Sequence, residues 1–209
     1  MKETKEILQP EQQENQTLKT EKEGGVSALK RRFTAKRLAL MAVFVALSYV
    51  VSLFDFPLFP AAPFLKLDFG NVFILLISFL LGPIEGVVVC ALKETLRIIG
   101  SSSGGVGELA NMLVTTSYIL LPSVVYRYKK GLKTVACCLL GACLIGTGVA
   151  LLTNRYINFP LYMGAGAKSF FYEAFWLIVA FNLIKTAAIS VLTLLLYKRL
   201  SIFLKKMKI

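Results

Sequence analysis

This chain consists largely of six apolar segments, separated by short charged or Pro/Gly-rich connections. They lie near residues 38–54, 70–82, 84–100, 107–126, 134–152 and 173–197. A helix needs about 20 apolar residues to cross the hydrocarbon of a bilayer, where the backbone must satisfy its own hydrogen bonds. With 56% hydrophobic residues, the 209-residue chain has more apolar surface than one small soluble core can bury. The pattern predicts an all-α integral membrane protein with six transmembrane helices, the second of them short.

The basic residues lie mainly at the ends of these segments, although the formal net charge of +12 could suggest a nucleic-acid partner. Three clusters precede the first segment, separate the fourth from the fifth, and follow the last. They contain Lys30, Arg31, Arg32, Lys36 and Arg37; Arg127, Lys129, Lys130 and Lys133; and Lys198, Arg199, Lys205, Lys206 and Lys208. With six spans all three clusters fall on one side, which the positive-inside rule makes cytoplasmic. We therefore expect both termini inside, the 55–69 and 153–172 loops outside, contact with membrane lipid and no nucleic-acid binding.

The two ends of the chain differ in composition from the rest. Residues 1–29 hold six of the twelve acidic residues and four lysines but no aromatic residue, a composition typical of disorder. They also lack the apolar core and cleavage site of a secretory signal. We predict a disordered, charged cytoplasmic tail over 1–34, a six-helix membrane domain over 35–200, and a basic cytoplasmic tail over 201–209.

The composition argues against several kinds of chemistry. The chain contains no histidine, which excludes His-based metal sites and Ser-His-Asp catalysis. The four cysteines show no paired-ligand spacing and are predicted to be small core residues. We expect no catalytic residue, no metal and no cofactor. An intramembrane enzyme using Glu94, Glu108 or Asp68 as acid or base remains a less favoured alternative.

Lys185 lies in the middle of the last apolar segment, where a charge is costly. Lysine at the centre of a spanning helix costs about 2.5–3.5 kcal/mol, so it is a binding-site hypothesis by default. Asn182 is three residues earlier, and Thr186, Ser190 and Thr193 continue the same side of the helix. This polar face either holds a ligand or pairs structurally within the bundle.

Further polar residues lie toward the same outer half. Lys93, Glu94 and Arg97 share the third segment, as ligand groups or as an internally satisfied ion cluster. Residues 104–111, Gly-Gly-Val-Gly-Glu-Leu-Ala-Asn, form a Gly-rich turn entering a helix, which can offer free backbone N–H groups to a ligand. Asn154 follows the fifth segment, and its amide suits either an amide-like ligand edge or a helix cap.

Two segments could act in gating and docking. Residues 54–69 contain three prolines and five phenylalanines, which suits a stiff lid or plug, or a loop resting in the headgroup belt. Ala42 and Ala46 form a small-xxx-small pair, extended by Ala35 and Ala39. Such a row favours close helix approach, either within the bundle or to another protein, as in a membrane adaptor.

Four motifs together resemble the riboflavin-binding S-components of energy-coupling factor (ECF) vitamin transporters, the RibU family. They are the Ala42-xxx-Ala46 row, the proline-rich loop to residue 69, residues 104–111, and residues 181–185, Phe-Asn-Leu-Ile-Lys. The resemblance covers residues 38–200. Phe73 and Ile74 depart from the smaller or Pro-containing residues expected after residue 71.

This resemblance implies a six-helix substrate-binding subunit without enzymatic activity. It implies flavin contacts by the Leu109-Ala110 backbone step, Asn154, Asn182 and Lys185. It also implies docking through the Ala42 and Ala46 face onto a transmembrane coupling protein that joins two cytosolic ATPases. Riboflavin would be the transported ligand rather than a cofactor, with flavin mononucleotide or another vitamin as the alternative.

Overall fold

The computed structural model describes residues 34–101, 103–129 and 132–206, and for residues 132 and 198–206 the backbone alone. The contacts divide the chain into two compact units, 1–39 and 40–209. The described part of the first unit is short and includes the opening turn of a helix. The second unit contains the rest of that helix, all the others and the candidate site. The predicted 1–34 tail lies outside the described residues except for residue 34, as do 207–209.

Helices account for most of the described chain, with one small hairpin. The elements are α1 (Ala35–Ser52), β1 (Phe56–Pro57), β2 (Lys66–Leu67), α2 (Asn71–Leu80), α3 (Pro83–Ile98), α4 (Val106–Tyr128), α5 (Leu132–Thr153), a π-helical turn (Asn154–Asn158), α6 (Phe159–Met163), a 3-10 turn (Gly164–Gly166) and α7 (Ala167–Lys206). The two strands are antiparallel, with Phe56 opposite Leu67 and Pro57 opposite Lys66. Each of the six predicted apolar segments therefore contains a helix.

Length and composition identify fewer membrane spans than six. Within the described residues, three helical stretches are long and apolar enough to cross a membrane: Ala35–Ser52, Val106–Tyr128 and the 65-residue Lys133–Tyr197. The last contains both α5 and α7. α2 is apolar but has only 10 residues, and the 16 residues of α3 include the buried charges of Lys93 and Glu94. The count of six spans remains a prediction.

The predicted 153–172 loop is wrong in one respect, because this segment is helical almost throughout. The π-helical turn continues α5 directly, Pro160 lies in the first turn of α6, and α7 begins at Ala167 rather than at 173. Proline is well suited to a first helical turn because it needs no hydrogen-bonded N–H there. The segment therefore forms a helical shoulder over the end of the bundle.

The 53–70 loop packs onto this shoulder. Its residues Ala62, Leu65 and Leu67 are buried in one cluster with Phe159 of α6 and Ile178 of α7. Five Phe side chains scattered along a solvated loop would be costly, and burial against α6 and α7 removes part of that apolar surface from water. The loop thus covers this end of the bundle, and its action as a lid stays a prediction.

Small residues allow α2 and α3 to approach closely. A Cβ placed on Gly86 would come within 2.5 Å of the Ser78 Cβ and 3.3 Å of the Ile119 Cδ1. Small residues at such crossings let helices gain van der Waals contact where lipid supplies no hydrophobic drive. This contact places α3, with its charged face, against the centre of the bundle.

Candidate binding site

A cavity of about 500 Å³ lies beneath the 53–70 loop. Its walls come from the loop, the end of α3, the start of α4, the π-helical turn, α6 and α7. Ala110, Asn154, Asn182 and Lys185, all predicted from the sequence as site residues, line it. Leu109, predicted to contact the ligand through its backbone, is not among the lining residues and is 40% exposed. The structure thus brings four of the five predicted residues together.

Lys185 reaches the cavity from α7. It is 7% exposed, and its Nζ donates a 2.6 Å hydrogen bond to Asn111 Oδ1. The same nitrogen lies 5.8 Å from the centre of the Phe181 ring, within the range of a cation–π contact. An ammonium group has three donors, so the bond to Asn111 leaves capacity for a ligand.

Asn111 links Lys185 to three further polar side chains. Its Oδ1 also lies within hydrogen-bond distance of Asn71 Nδ2, at 3.1 Å. Its Nδ2 donates to Glu94 Oε1 at 2.5 Å and to Asp68 Oδ2 at 3.4 Å. Since an amide has one donating and one accepting end, the carboxylates and Lys185 together fix the orientation of the Asn111 side chain.

Lys93 forms the centre of a buried ion cluster beside the cavity. The Lys93 side chain is fully buried, and its Nζ pairs with Asp68 and, at 2.7 Å, with Glu94. Asp68 also accepts the Gly70 N–H at 2.7 Å. Burial works to raise the Asp68 pKa, but the ammonium of Lys93 outweighs it and holds the pKa below its ordinary value. One ammonium thus serves two carboxylates, and Arg97 lies 3.9 Å from Asp68 Oδ2.

Arg97 ties the loop to α3 at the rim of the cavity. Its guanidinium donates to Asp55 Oδ2 and to the Ser52 carbonyl, both at 2.5 Å. Lys66 from the other strand of the hairpin lies 3.7 Å from Asp55. Of the three charged residues of α3, Lys93 and Glu94 belong to the buried ion cluster, and Arg97 binds the 53–70 loop.

The π-helical turn presents two amides to the cavity. Asn154 Nδ2 donates to the Ala150 carbonyl at 2.8 Å, and Asn158 Nδ2 donates to Asn154 Oδ1 at 3.1 Å. Asn158 Oδ1 is buried and finds no hydrogen-bond partner among the residues that the structure describes. π-helical turns occur frequently at functional sites, and a buried acceptor without a partner costs free energy. This oxygen is therefore a candidate acceptor for a ligand.

Aromatic rings make up much of the apolar wall. Phe64 of the loop packs 5.7 Å from Phe159 and 5.9 Å from Phe170, measured between ring centres. Phe159 and Phe170 are 5.0 Å apart. All three rings line the cavity together with Phe181. This arrangement suits a flat apolar ligand held between the cover and the bundle.

The Gly-rich turn before α4 does not offer the free N–H groups expected from its sequence. Gly105 has a φ of 93° and precedes α4, but its N–H donates to Ser101 Oγ at 3.3 Å. The Gly107 N–H donates to Ser103 Oγ at 3.1 Å. Both serine hydroxyls in turn donate to Glu108 at 2.7 Å. The Glu108 carboxylate thus lies at the N-terminus of α4, the positive end of the helix dipole.

Comparison with known proteins supports a single family. The sequence model of the family described as "ECF transporter, substrate-specific component" matches residues 36–197. The chain belongs to this family. The resemblance found in the sequence is confirmed, and the protein is a multi-pass membrane protein of a transporter family.

Individual relatives are similar over most of their length. The "Riboflavin transporter RibU" of Staphylococcus aureus is 32% identical over 82% of this chain and 93% of its own. The "Riboflavin transporter FmnP" of Bacillus subtilis is 31% identical over 62% of this chain and 68% of its own. A solved structure described as "Structure and mechanism of the S component of a bacterial ECF transporter" has a TM-score of 0.72 and 34% identity, covering 81% of this chain and 98% of that one.

In this S-component-family chain, the sequence predicted Asn154 and Asn182 as site residues but did not assign Asn111 or Asn158 to the site. Five asparagines fall within the described residues. Asn111, Asn154, Asn158 and Asn182 line the cavity, and Asn71 bonds to the first of them. Asn111 closes the Gly-rich motif and could have been noticed as a polar residue within an apolar helix. The signal was present in the sequence, but contacts between distant segments were needed to interpret it.

The row of small residues in α1 lies on the surface of the bundle. Ala42 and Ala46 are exposed, and so are their apolar neighbours Val43 and Leu47. The exposed face of α1 is open to lipid or to another protein.

All four cysteines are free, but Cys137 is exposed, so the prediction that the cysteines are small core residues is wrong for Cys137.

Proposed function

We propose that this chain is the substrate-capturing subunit of an ECF-type importer and that its ligand is riboflavin. Its relatives are named as riboflavin transporters, and the family supplies the transport role. The observation that carries the proposal is the cavity itself, where aromatic walls meet several asparagine amides and the buried ammonium of Lys185. Metabolite sites of this kind are mainly apolar, with a few converging polar groups that fix orientation.

Riboflavin matches these groups one by one. Its isoalloxazine ring is a broad flat plate, which suits the walls formed by Phe64, Phe159 and Phe170. The plate has an imide edge with one N–H between two carbonyls, and the ribityl chain adds neutral hydroxyls. The unpaired Asn158 oxygen can accept from such an N–H or hydroxyl, while Lys185 can donate to a carbonyl or hydroxyl.

Charge balance favours a neutral ligand. The acids Asp68 and Glu94 already pair with Lys93, and Arg97 is engaged by Asp55. Lys185 is held by a neutral amide. An anionic ligand would have to bind Lys185 close to the carboxylates of Asp68 and Glu94, which lie at the other end of the Asn111 amide, whereas a neutral ligand needs only hydrogen bonds. We therefore favour riboflavin over flavin mononucleotide as the principal ligand.

We further propose the arrangement implied for this family. The chain would cross a bacterial plasma membrane six times with both termini in the cytoplasm, and the cavity would open outward under the 53–70 loop. The exposed Ala42 and Ala46 face would dock onto the transmembrane coupling protein, which joins two ATPases. The subunit itself would perform no covalent chemistry, and ATP would be hydrolysed by its partners.

Purification from riboflavin-supplied cells tests the ligand. We expect detergent-purified protein to be yellow, with quenched flavin fluorescence, and to rebind riboflavin after the ligand is removed. Riboflavin and flavin mononucleotide are then titrated in parallel by isothermal calorimetry. Colourless protein that binds neither flavin would refute the proposal. If flavin mononucleotide binds more tightly than riboflavin, flavin mononucleotide is the principal ligand.

Two substitutions localise the site. Lys185→Met and Asn182→Ala should each weaken riboflavin binding by about tenfold or more, the value of one lost hydrogen bond involving a charged group or a well-placed amide. Lys168→Met is the matched control, because Lys168 is exposed and lies outside the cavity lining. Unchanged riboflavin affinity in both site variants would mean that Lys185 and Asn182 have a structural role only.

A further inference from the structure

We propose that Asn111 is the positioning residue for Lys185: it holds the ammonium at the cavity wall and keeps it out of the neighbouring ion cluster. The inference rests on the proposed function, since it concerns how the same cavity binds its ligand. It starts from the placement of Asn111, whose side chain lies between Lys185 and the buried acids.

The distances place a cation and a carboxylate at opposite ends of one amide. Lys185 Nζ is 2.6 Å from Asn111 Oδ1, and Glu94 Oε1 is 2.5 Å from Asn111 Nδ2. Asp68 Oδ2 lies farther along the same end, at 3.4 Å. Reversing the amide would face its NH₂ group toward an ammonium and its oxygen toward carboxylates. The side chain is therefore fixed in one orientation by charges on both sides.

This spacing affects what Lys185 can offer a ligand. A buried ammonium next to an accessible carboxylate forms an ion pair, because the attraction between unit charges is strong at low dielectric. Glu94 and Asp68 are shared with Lys93 and still attract a second cation. With Asn111 in place, Lys185 instead bonds a neutral oxygen and retains donors for the cavity.

Asn111 is itself held from α2 and from its own helix. Asn71 of α2 donates to Asn111 Oδ1 at 3.1 Å, and Thr115, one turn along α4, lies 3.4 Å from the same oxygen. These contacts keep the amide in place before a ligand arrives. They also mean that Asn111 could serve the fold alone, so its test must separate positioning from packing.

A double-substitution cycle makes that separation. Riboflavin affinity is measured by fluorescence quenching on the purified full chain for wild type, Asn111→Ala, Lys185→Met and the double variant. We expect each single change to weaken binding by about tenfold or more, and the double variant to bind no worse than Lys185→Met. Effects that multiply in the double variant would overturn the proposal, because Asn111 would then act independently of Lys185.

Rescue provides a second readout that a purely structural role would not give. Adding Glu94→Gln to Asn111→Ala removes one of the two carboxylate charges that attract Lys185, so we expect affinity to recover at least threefold over Asn111→Ala. A packing role predicts a further loss instead, because another buried contact is removed.

The near-isosteric Asn111→Asp covers the case in which Asn111→Ala does not fold. Its carboxylate should pair with Lys185 and weaken riboflavin binding by about tenfold or more while the protein remains monodisperse. Unchanged affinity would refute the positioning role. If wild-type protein binds no flavin at all, the proposed function fails, and that result is distinct from either outcome of the cycle.

Discussion

The two buried lysines of the cavity region should respond oppositely to the same substitution. Lys93 and Lys185 are 0% and 7% exposed, and both extend toward Asp68 and Glu94 from different helices. Lys93 pairs with both carboxylates, whereas Lys185 bonds to the Asn111 amide. We predict that Lys93→Met mainly destabilises the protein and that Lys185→Met mainly weakens riboflavin binding.

The magnitude follows from the charges left behind. Lys93→Met leaves two buried carboxylates without their main partner, and breaking a buried pair in this way costs about 3–5 kcal/mol. For a chain of this length, each kcal/mol lowers the melting temperature by roughly 2–4 °C, which gives a loss of about 6–20 °C. In Lys185→Met both carboxylates keep Lys93, and Asn111 Oδ1 keeps Asn71. We expect that change to stay within about 1 kcal/mol, or roughly 2–4 °C.

The assay uses one detergent preparation of each variant without ligand and with saturating riboflavin. Melting temperature is followed by circular dichroism at 222 nm, and affinity is measured by flavin fluorescence quenching below the melting transition. Lys168→Met, at an exposed position outside the cavity lining, controls for loss of a positive charge. The added stability from riboflavin should be large in wild type and small in Lys185→Met, because ligand stabilisation scales with affinity.

Two results would refute this reasoning. If Lys185→Met lowers the melting temperature as much as Lys93→Met does while affinity is retained, then Lys185 is a structural member of the ion cluster. If Lys93→Met leaves the melting temperature unchanged, the carboxylates are neutral in the folded protein and the cluster is not held by charge.

Three further changes probe the cover, the helix crossing and the proposed docking face. Arg97→Gln removes the ion pair with Asp55 and should raise the riboflavin dissociation rate about threefold or more in stopped-flow measurements; an unchanged rate would show that the cover does not limit release. Gly86→Val places side-chain atoms where a Cβ alone already meets Ser78, so melting temperature should fall by at least about 4 °C; an unchanged value would contradict the close crossing. Ala46→Trp should abolish co-purification with the coupling protein and leave riboflavin affinity unchanged, and lost affinity would instead place this position in the binding fold.

Apolar segments could be predicted from sequence because each long run has one physical solution in lipid, the helix. The region after α5 was predicted as a loop because Asn154, Asn158 and Pro160 interrupt the apolar pattern. It is helical, and Phe159 of α6 is buried against the loop, with its ring centre 5.7 Å from that of Phe64. That contact joins residues far apart in the chain, and no local pattern encodes it.

For the site, the residues themselves could be predicted from the sequence, but their contacts could not. Lys185 and Asn182 were predictable because a charge and an amide in an apolar helix are costly and need a partner. Their partners were not predictable, because Lys185 meets Asn111 across 74 residues and Lys93 meets Asp68 across 25. Polar residues in a membrane helix therefore indicate that a site exists, while the pairing that decides its chemistry comes from the packing of helices.

That pairing also explains how one cavity can hold several charges and still suit a neutral ligand. Lys93 satisfies Asp68 and Glu94, and Arg97 satisfies Asp55, so these groups bring their own counter-ions into the low-dielectric region. Lys185 differs because its 2.6 Å hydrogen bond is to an amide oxygen. A neutral ligand that accepts from Lys185 and donates to Asn158 Oδ1 would satisfy both groups without adding charge. An anionic ligand would have to compete for Lys185 beside two carboxylates, and this repulsion is a physical reason for the cavity to favour an uncharged flavin.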